Sequence, residues 1–161
     1  MLVALGLGSN LGDRIENLRR ATALLSRLLQ LTGVSSVYET EPRDVLDQPP
    51  FLNAALTALT DLDPQALLHA CHDVEVAIGR IPGRPKGPRS IDVDVLLHGD
   101  SIVSETGLVV PHPALARRRF VLVPLAEIAP DLREPLGRAT ISELLARCED
   151  PGWVRSAAAL R

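Results

Sequence analysis

The run Ser90-Ile91-Asp92-Val93-Asp94-Val95-Leu96-Leu97 constrains this chain most, because two carboxylates sit two residues apart among β-branched and aliphatic residues. A strand sends residues i and i+2 to the same face. Asp92 and Asp94 therefore point one way, while Ile91, Val93 and Val95 point into apolar packing. The fold must bury one face of this strand and hold a pair of like charges on the other. Such charges repel and raise each other's pKa unless a cation neutralises them. A hard divalent ion such as Mg2+, which takes carboxylate oxygens together with substrate phosphates, suits the pair. The plain alternative is an edge strand whose two aspartates are merely solvated.

With 161 residues and an apolar fraction of 46%, the expectation is one domain, 1–161, with a real core. No apolar stretch approaches the roughly 18 residues of a membrane helix, and Met1-Leu2-Val3 enters a strand pattern without a basic leader. A soluble, cytoplasmic protein with no membrane partner is expected. Cys71 and Cys148, the only cysteines, fall on amphipathic helical patterns and read as reduced thiols. The net charge of −3 is unevenly spread: of 17 basic residues, Arg80, Arg84, Lys86 and Arg89 share one acid-free stretch, and Arg117, Arg118 and Arg119 are consecutive. Local basic patches in a mildly acidic chain suit a compact polyphosphate better than a nucleic acid, so no nucleic-acid partner is expected.

Leu2 to Leu7 reads as a strand, and Asp13 opens a helix with an Ile15, Leu18, Leu25, Leu28 stripe running to about Leu31. Val34 to Glu41 and Leu52 to Leu59 read as strands on either side of a proline-containing loop. Asp63-Pro64 caps a helix with a Leu67, Leu68, Cys71, Val74, Ile78 stripe that Gly79 ends. Gly83, Gly87 and three prolines make Arg80 to Pro88 a lid-like loop, and His98-Gly99-Asp100-Ser101 resembles a hairpin turn. Phe120 to Leu125 reads as another strand, and Thr140 caps a last helix over Ile141, Leu144 and Leu145. Strands and helices without strict βαβ alternation favour an α+β sandwich.

Gly6-Leu7-Gly8-Ser9-Asn10-Leu11-Gly12 follows a strand and precedes a helix, as a dinucleotide-binding turn would, but its spacing is G-x-G-x-x-x-G and no acidic partner follows at about twenty residues. A tight turn with close backbone approach is the better reading. His72 and Glu75 share a helix face beside the basic loop, suited either to a nucleotide or to solvent. His112, between two prolines and close to Arg117 and Arg118, offers donors to phosphate oxygens or is an ordinary loop residue. Phe51 and Phe120 adjoin polar loops where flat ligands are often sandwiched, although core packing is the commoner role. Asn53 would share a strand face with Phe51, placing an amide beside a stacking ring.

Together these segments resemble the 6-hydroxymethyl-7,8-dihydropterin pyrophosphokinase family of folate biosynthesis. The matching blocks, in family order over roughly residues 5–130, are Leu7 to Gly12, Tyr38 to Pro42, Asp47 to Ala54, Glu75 to Arg80, Gly87 to Asp94, and Pro111-His112-Pro113 through Arg118 to Val121. The resemblance implies a ferredoxin-like α+β sandwich with a mainly antiparallel sheet. It implies transfer of pyrophosphate from ATP to the hydroxymethyl group of a reduced pterin, with release of AMP. On that reading Asp92 and Asp94 hold two Mg2+ ions, and Arg80 and Arg89 are the catalytic arginines. Phe51 and Phe120 sandwich the pterin, while Asn53, Gly8 and the Thr40-Glu41-Pro42 segment running towards Arg43 read its edge. His72, Glu75, His112, Arg118 and Arg89 contact ATP, with Arg84 and Lys86 as lid cations.

The chain departs from some relatives in a basic loop one residue shorter, in Lys86 where certain members carry tryptophan, in Pro113 after the histidine, and in His72 where glutamine is frequent. A monomer acting on ATP and the pterin is expected. Two other readings remain at this point: a Mg-dependent nucleotidyl or glycosyl transferase with another acceptor, and a non-catalytic pterin- or nucleotide-binding module.

Overall fold

Nine residues of uninterrupted strand at Phe51–Leu59 organise the sheet. The computed structural model describes residues 1–42, 47–79 and 89–160. In chain order the strands are β1 (Leu2–Ser9), β2 (Gln30–Val34), β3 (Val37–Thr40), β4 (Phe51–Leu59), β5 (Asp92–His98), β6 (Val103–Glu105), β7 (Leu108–Val110) and β8 (Val154–Ala158). The helices are α1 (Arg14–Leu28), α2 (Pro64–Ile78), α3 (Arg119–Ile128) and α4 (Ile141–Arg147). The main sheet runs β5-β1-β4-β3-β8, with β2 also on β4, and every pairing is antiparallel. β1 pairs with Leu52 to Leu59 of β4. On the other side β2 takes Leu56 to Leu59 and β3 takes Phe51 to Asn53. The expected α+β class with a mainly antiparallel sheet is what the chain adopts.

Strand alternation gives the sheet two unlike faces. Val3, Leu5 and Leu7, Leu52, Ala54 and Leu56, and Val93 and Val95 pack against α1 and α2 in one apolar cluster with Leu18, Leu25, Leu67 and Ile78. Ala4, Ala55, Leu96 and Leu97 pack against α3 and α4 through Leu122, Leu125 and Ile141. A register shift between Ala4 and Leu5 lets both Leu96 and Leu97 join this second cluster.

The helix boundaries follow their caps. Asp13 Oδ1 accepts the Glu16 N–H (3.2 Å), Asp63 Oδ1 accepts the Ala66 N–H (2.8 Å), and Thr140 Oγ1 accepts the Glu143 N–H (3.1 Å). Gly79 ends α2 in the left-handed conformation at φ +96°.

Four expectations require correction. Phe120 to Leu125 is not a strand: it lies within α3, whose buried Leu122 and Leu125 recur at helical spacing despite Val121, Val123 and an internal Pro124. α1 stops at Leu28, because Gln30 already pairs with Leu59. The segment expected as one strand from Val34 to Glu41 is two strands broken at Ser35 and Ser36, where the Ser35 hydroxyl accepts the Ala55 N–H (2.8 Å). His98 to Ser101 does close a turn, with the Ser101 N–H on the His98 carbonyl (2.9 Å), but β6 then pairs with β7 in a separate ribbon instead of folding back on β5.

Candidate active site

On the α3/α4 side, the apolar residues of one end of the sheet give way to glycine, acid and amide. Gly6 and Gly8 of β1, Asn53 of β4, and Asp92, Asp94 and Leu96 of β5 open onto a cleft of about 260 Å³. Gly8 is required there, because a Cβ would stand 2.9 Å from Asn53 Oδ1 and 3.5 Å from the Phe51 ring. Asn53 is buried and its amide donates to Thr40 Oγ1, joining two of the expected pterin residues. Glu41 and Phe51 complete this wall, and Phe120, Arg118 and Val121 approach from α3 and the turn before it.

Phe51 is fixed by the loop before it. Asn10 Nδ2 donates to Gln48 Oε1 (2.8 Å) and the Pro49 carbonyl (3.1 Å), and Arg14 donates to the Pro50 carbonyl (2.9 Å). Asn10 also ties down Arg89: the Arg89 N–H reaches Asn10 Oδ1 (2.9 Å) and the Asn10 N–H reaches the Arg89 carbonyl (3.1 Å). Each arginine then lies over a ring, Arg89 5.4 Å from the Phe51 centroid and Arg118 5.6 Å from that of Phe120. Arg89 Nε is buried with no acceptor among the described residues. A guanidinium donor left so is costly and well placed to receive an anionic ligand oxygen.

A second cleft of about 420 Å³ adjoins the first, lined by Leu68, His72 and Glu75 of α2, by β7 and by Pro113. Asp92, Asp94 and His112 border both clefts. The acid pair thus stands at the junction of two compartments. Burial pushes the Asp94 carboxyl up to about 7, with the negative charges of Asp92 and Glu75 adding to the rise and Arg118 and Arg89 opposing it. His112 is lowered by burial and by Arg118, against the pull of Asp92. Its Nδ1 accepts the Ala114 N–H (3.1 Å), which puts the proton of the neutral ring on Nε2. Glu75 is buried and its Oε2 accepts the Val93 N–H (2.8 Å), so it also supports the outer edge of β5.

Hard oxygen donors on one strand face fit Mg2+. No group of three or more His, Cys, Asp or Glu residues suited to a metal occurs among the described residues. Two carboxylates suffice for an ion that fills its remaining positions with water and phosphate oxygens.

Of the residues expected from the sequence, Gly8, Thr40, Glu41, Phe51, Asn53 and Phe120 meet in the first cleft, together with Arg89 and Arg118. His72 and Glu75 belong to the second. Pro42 is buried beside Glu41 but does not line either cleft. Arg80, Arg84, Lys86 and Arg43 lie outside the described residues. Sequence reasoning missed Gly6, Leu96, Val121 and Leu68. Leu96 and Leu68 carried a usable signal, since Leu96 follows Asp92 and Asp94 at period two and Leu68 precedes His72 by one helical turn.

Comparison with known proteins shows the family. The family model described as 7,8-dihydro-6-hydroxymethylpterin-pyrophosphokinase (HPPK) matches residues 4–130. The 2-amino-4-hydroxy-6-hydroxymethyldihydropteridine pyrophosphokinase of Methylorubrum extorquens is 45% identical over 153 residues, 94% of this chain and 96% of that protein. The Pseudomonas aeruginosa protein of the same name is 41% identical and covers 95% of each chain. The crystal structure of Plasmodium falciparum HPPK-DHPS superposes with a TM-score of 0.73 at 15% identity, over 91% of this chain and 44% of that one, a likeness of fold. The chain belongs to the 7,8-dihydro-6-hydroxymethylpterin pyrophosphokinase family.

Proposed function

We propose that this chain transfers the pyrophosphoryl group of ATP to the hydroxymethyl group of 6-hydroxymethyl-7,8-dihydropterin, releasing AMP, in folate synthesis, and that the junction of its two clefts performs the transfer. Family membership supports the reaction, with ATP as co-substrate. The observation that carries the site is the placement of Asp92 and Asp94 where one cleft meets the other.

In this reading the first cleft holds the pterin. Phe51 and Phe120 stack on its rings, while Asn53, Thr40 and the backbone around Glu41 and Pro42 read its hydrogen-bonding edge. The second cleft takes the nucleotide beside His72 and Glu75. Asp92 and Asp94 hold Mg2+, two ions, whose chemistry is to neutralise the triphosphate oxygens and orient them for displacement. Arg89 and Arg118 add fixed positive charge, and His112 presents Nε2–H to a phosphate oxygen. Arg80, Arg84 and Lys86 close the set. The pterin hydroxyl oxygen bonds to the β-phosphorus of ATP, the bond from that phosphorus to the α-phosphate oxygen breaks, and the hydroxyl proton is released. Positioning and charge balance supply the catalysis. The same reading takes the 161-residue chain as one domain, a monomer working in the cytoplasm; no helix among the described residues is long and apolar enough to cross a membrane.

The test is product analysis with ATP, Mg2+ and the reduced pterin. The proposal expects AMP and pterin diphosphate in equal amounts, and ADP as the nucleotide product would overturn it.

A further inference from the structure

Residues 148–158 lie beyond the 4–130 region that the family model matches, yet they touch both walls of the first cleft. Asp150 is buried, and its Oδ2 accepts the backbone N–H of Arg119 (3.0 Å), the first residue of α3. The residue at the helix start, Arg118, offers no side-chain cap. A carboxylate from 31 residues further along therefore satisfies a donor that α3 would otherwise leave open. Asp150 Oδ1 accepts the Gly152 N–H (2.9 Å), fixing the turn that follows. Arg119 answers from the helix side, with Nε on the Asp150 carbonyl (3.2 Å) and Nη2 on the Cys148 carbonyl (3.3 Å). Arg118 and Phe120, on either side of Arg119, line the cleft on that wall together with Val121.

Three residues on, the segment reaches the opposite wall. The Glu41 N–H donates to the Trp153 carbonyl (3.1 Å), and β8 pairs with β3 through Val154 opposite Thr40 and Arg155 opposite Glu39. Arg155 lies 4.4 Å from the Trp153 ring centroid.

We infer that Asp150 is a positioning residue for the pterin compartment: with Arg119 it makes the C-terminal segment a strap that sets the distance between the Arg118–Phe120 wall and the Thr40–Glu41 wall. This rests on the assignment of the first cleft to the pterin. β8 stands at the sheet edge opposite β5, and no residue of the strap lines the second cleft with His72 and Glu75, so its loss separates the two substrates. In Asp150→Asn the amide keeps one acceptor oxygen but turns N–H donors towards the Arg119 or Gly152 N–H, which opens one end of the strap.

In the full-length protein, Asp150→Asn should raise KM and Kd for the pterin about tenfold, the size of a lost cap, and leave KM for ATP within about twofold. Thr140→Ala removes the cap of α4, away from the cleft, and should lower the thermal midpoint while moving neither KM. If Asp150→Asn does not fold, Arg119→Met, which keeps the backbone bond to Asp150, should show the same selectivity at about threefold. Equal loss for both substrates, or none, while Phe120→Ala still weakens pterin binding, overturns the strap alone. Unchanged pterin binding in Phe120→Ala overturns the cleft assignment and the strap with it.

Discussion

The two faces of one sheet do different work with the same strands. Against α1 and α2, β1 presents Val3, Leu5 and Leu7, and β5 presents Val93 and Val95, all buried in a continuous apolar layer. On the opposite face the intervening residues are Ala4, Gly6 and Gly8 on β1, and Asp92, Asp94 and Leu96 on β5. Moving from Ala4 to Gly8 on that face, the side chains shrink to nothing as the acids appear on the neighbouring strand. The α1/α2 face is apolar throughout, whereas the α3/α4 face joins an apolar cluster to a cleft and a repulsive pair of charges. Substitutions on the two faces should therefore fail differently.

The largest effect is expected on the open face. Asp94→Ala should lower turnover by about 10²- to 10⁴-fold, equivalent to several kcal/mol of lost charge stabilisation, without lowering the unfolding midpoint. Steady-state kinetics and a urea melt on the same preparation check this; unfolding in step with inactivity would erase the contrast. On the closed face, Leu56→Ala empties a fully buried position and should cost about 2–5 kcal/mol in urea unfolding. The folded fraction should keep its pterin affinity within about twofold, and a large affinity loss would mean that the faces are not independent.

A third substitution sharpens the comparison through pH. The Asp94 carboxyl titrates near 7 in the folded, metal-free protein, above its ordinary 3.8, chiefly because it is buried. Between those values the folded state holds a proton that the unfolded chain has released, so stability falls as pH rises through this window. Asp94→Asn removes that penalty. In EDTA it should stabilise the protein by roughly 1–3 kcal/mol at pH 8, with the gain vanishing near pH 4. A gain independent of pH would assign it to packing and not to charge.

The smallest effect concerns the glycines. Gly8→Ala brings a methyl group to 2.9 Å from Asn53 Oδ1 and should weaken pterin binding about tenfold, roughly 1.4 kcal/mol. Gly6→Ala meets the Leu96 side chain first, at 3.5 Å, an ordinary contact, and should bind the pterin within about twofold of the parent. Similar losses at both positions would mean that added bulk, not the Asn53 contact, matters.

Much of this was legible in the sequence where local chemistry decides the structure. Asp63-Pro64 and Gly79 mark the ends of α2 because cap and left-handed turn are local events, and the face of Asp92 and Asp94 follows from strand period alone. α3 was not legible: Val121, Val123 and Pro124 argue against a helix locally, and the acceptor at its first N–H is Asp150, 31 residues away. β8 was missed for a related reason, since Val154-Arg155-Ser156-Ala157-Ala158 has little strand character apart from its pairing with β3. The break at Ser35 depends on a bond to Ala55 that no window along the chain contains. Of the site, the acids, Phe51 and Asn53 could be read from period two. The junction of two clefts could not, because it exists only once α2, β5 and the His112 loop meet.

That junction is tested most directly by a crystal structure with 6-hydroxymethylpterin, Mg2+ and a non-hydrolysable ATP analogue bound together. The account predicts metal on both Asp92 and Asp94, the pterin between Phe51 and Phe120, and the nucleotide in the compartment of His72 and Glu75. Metal bound away from the two aspartates, or a pterin lying outside the first cleft, would contradict it.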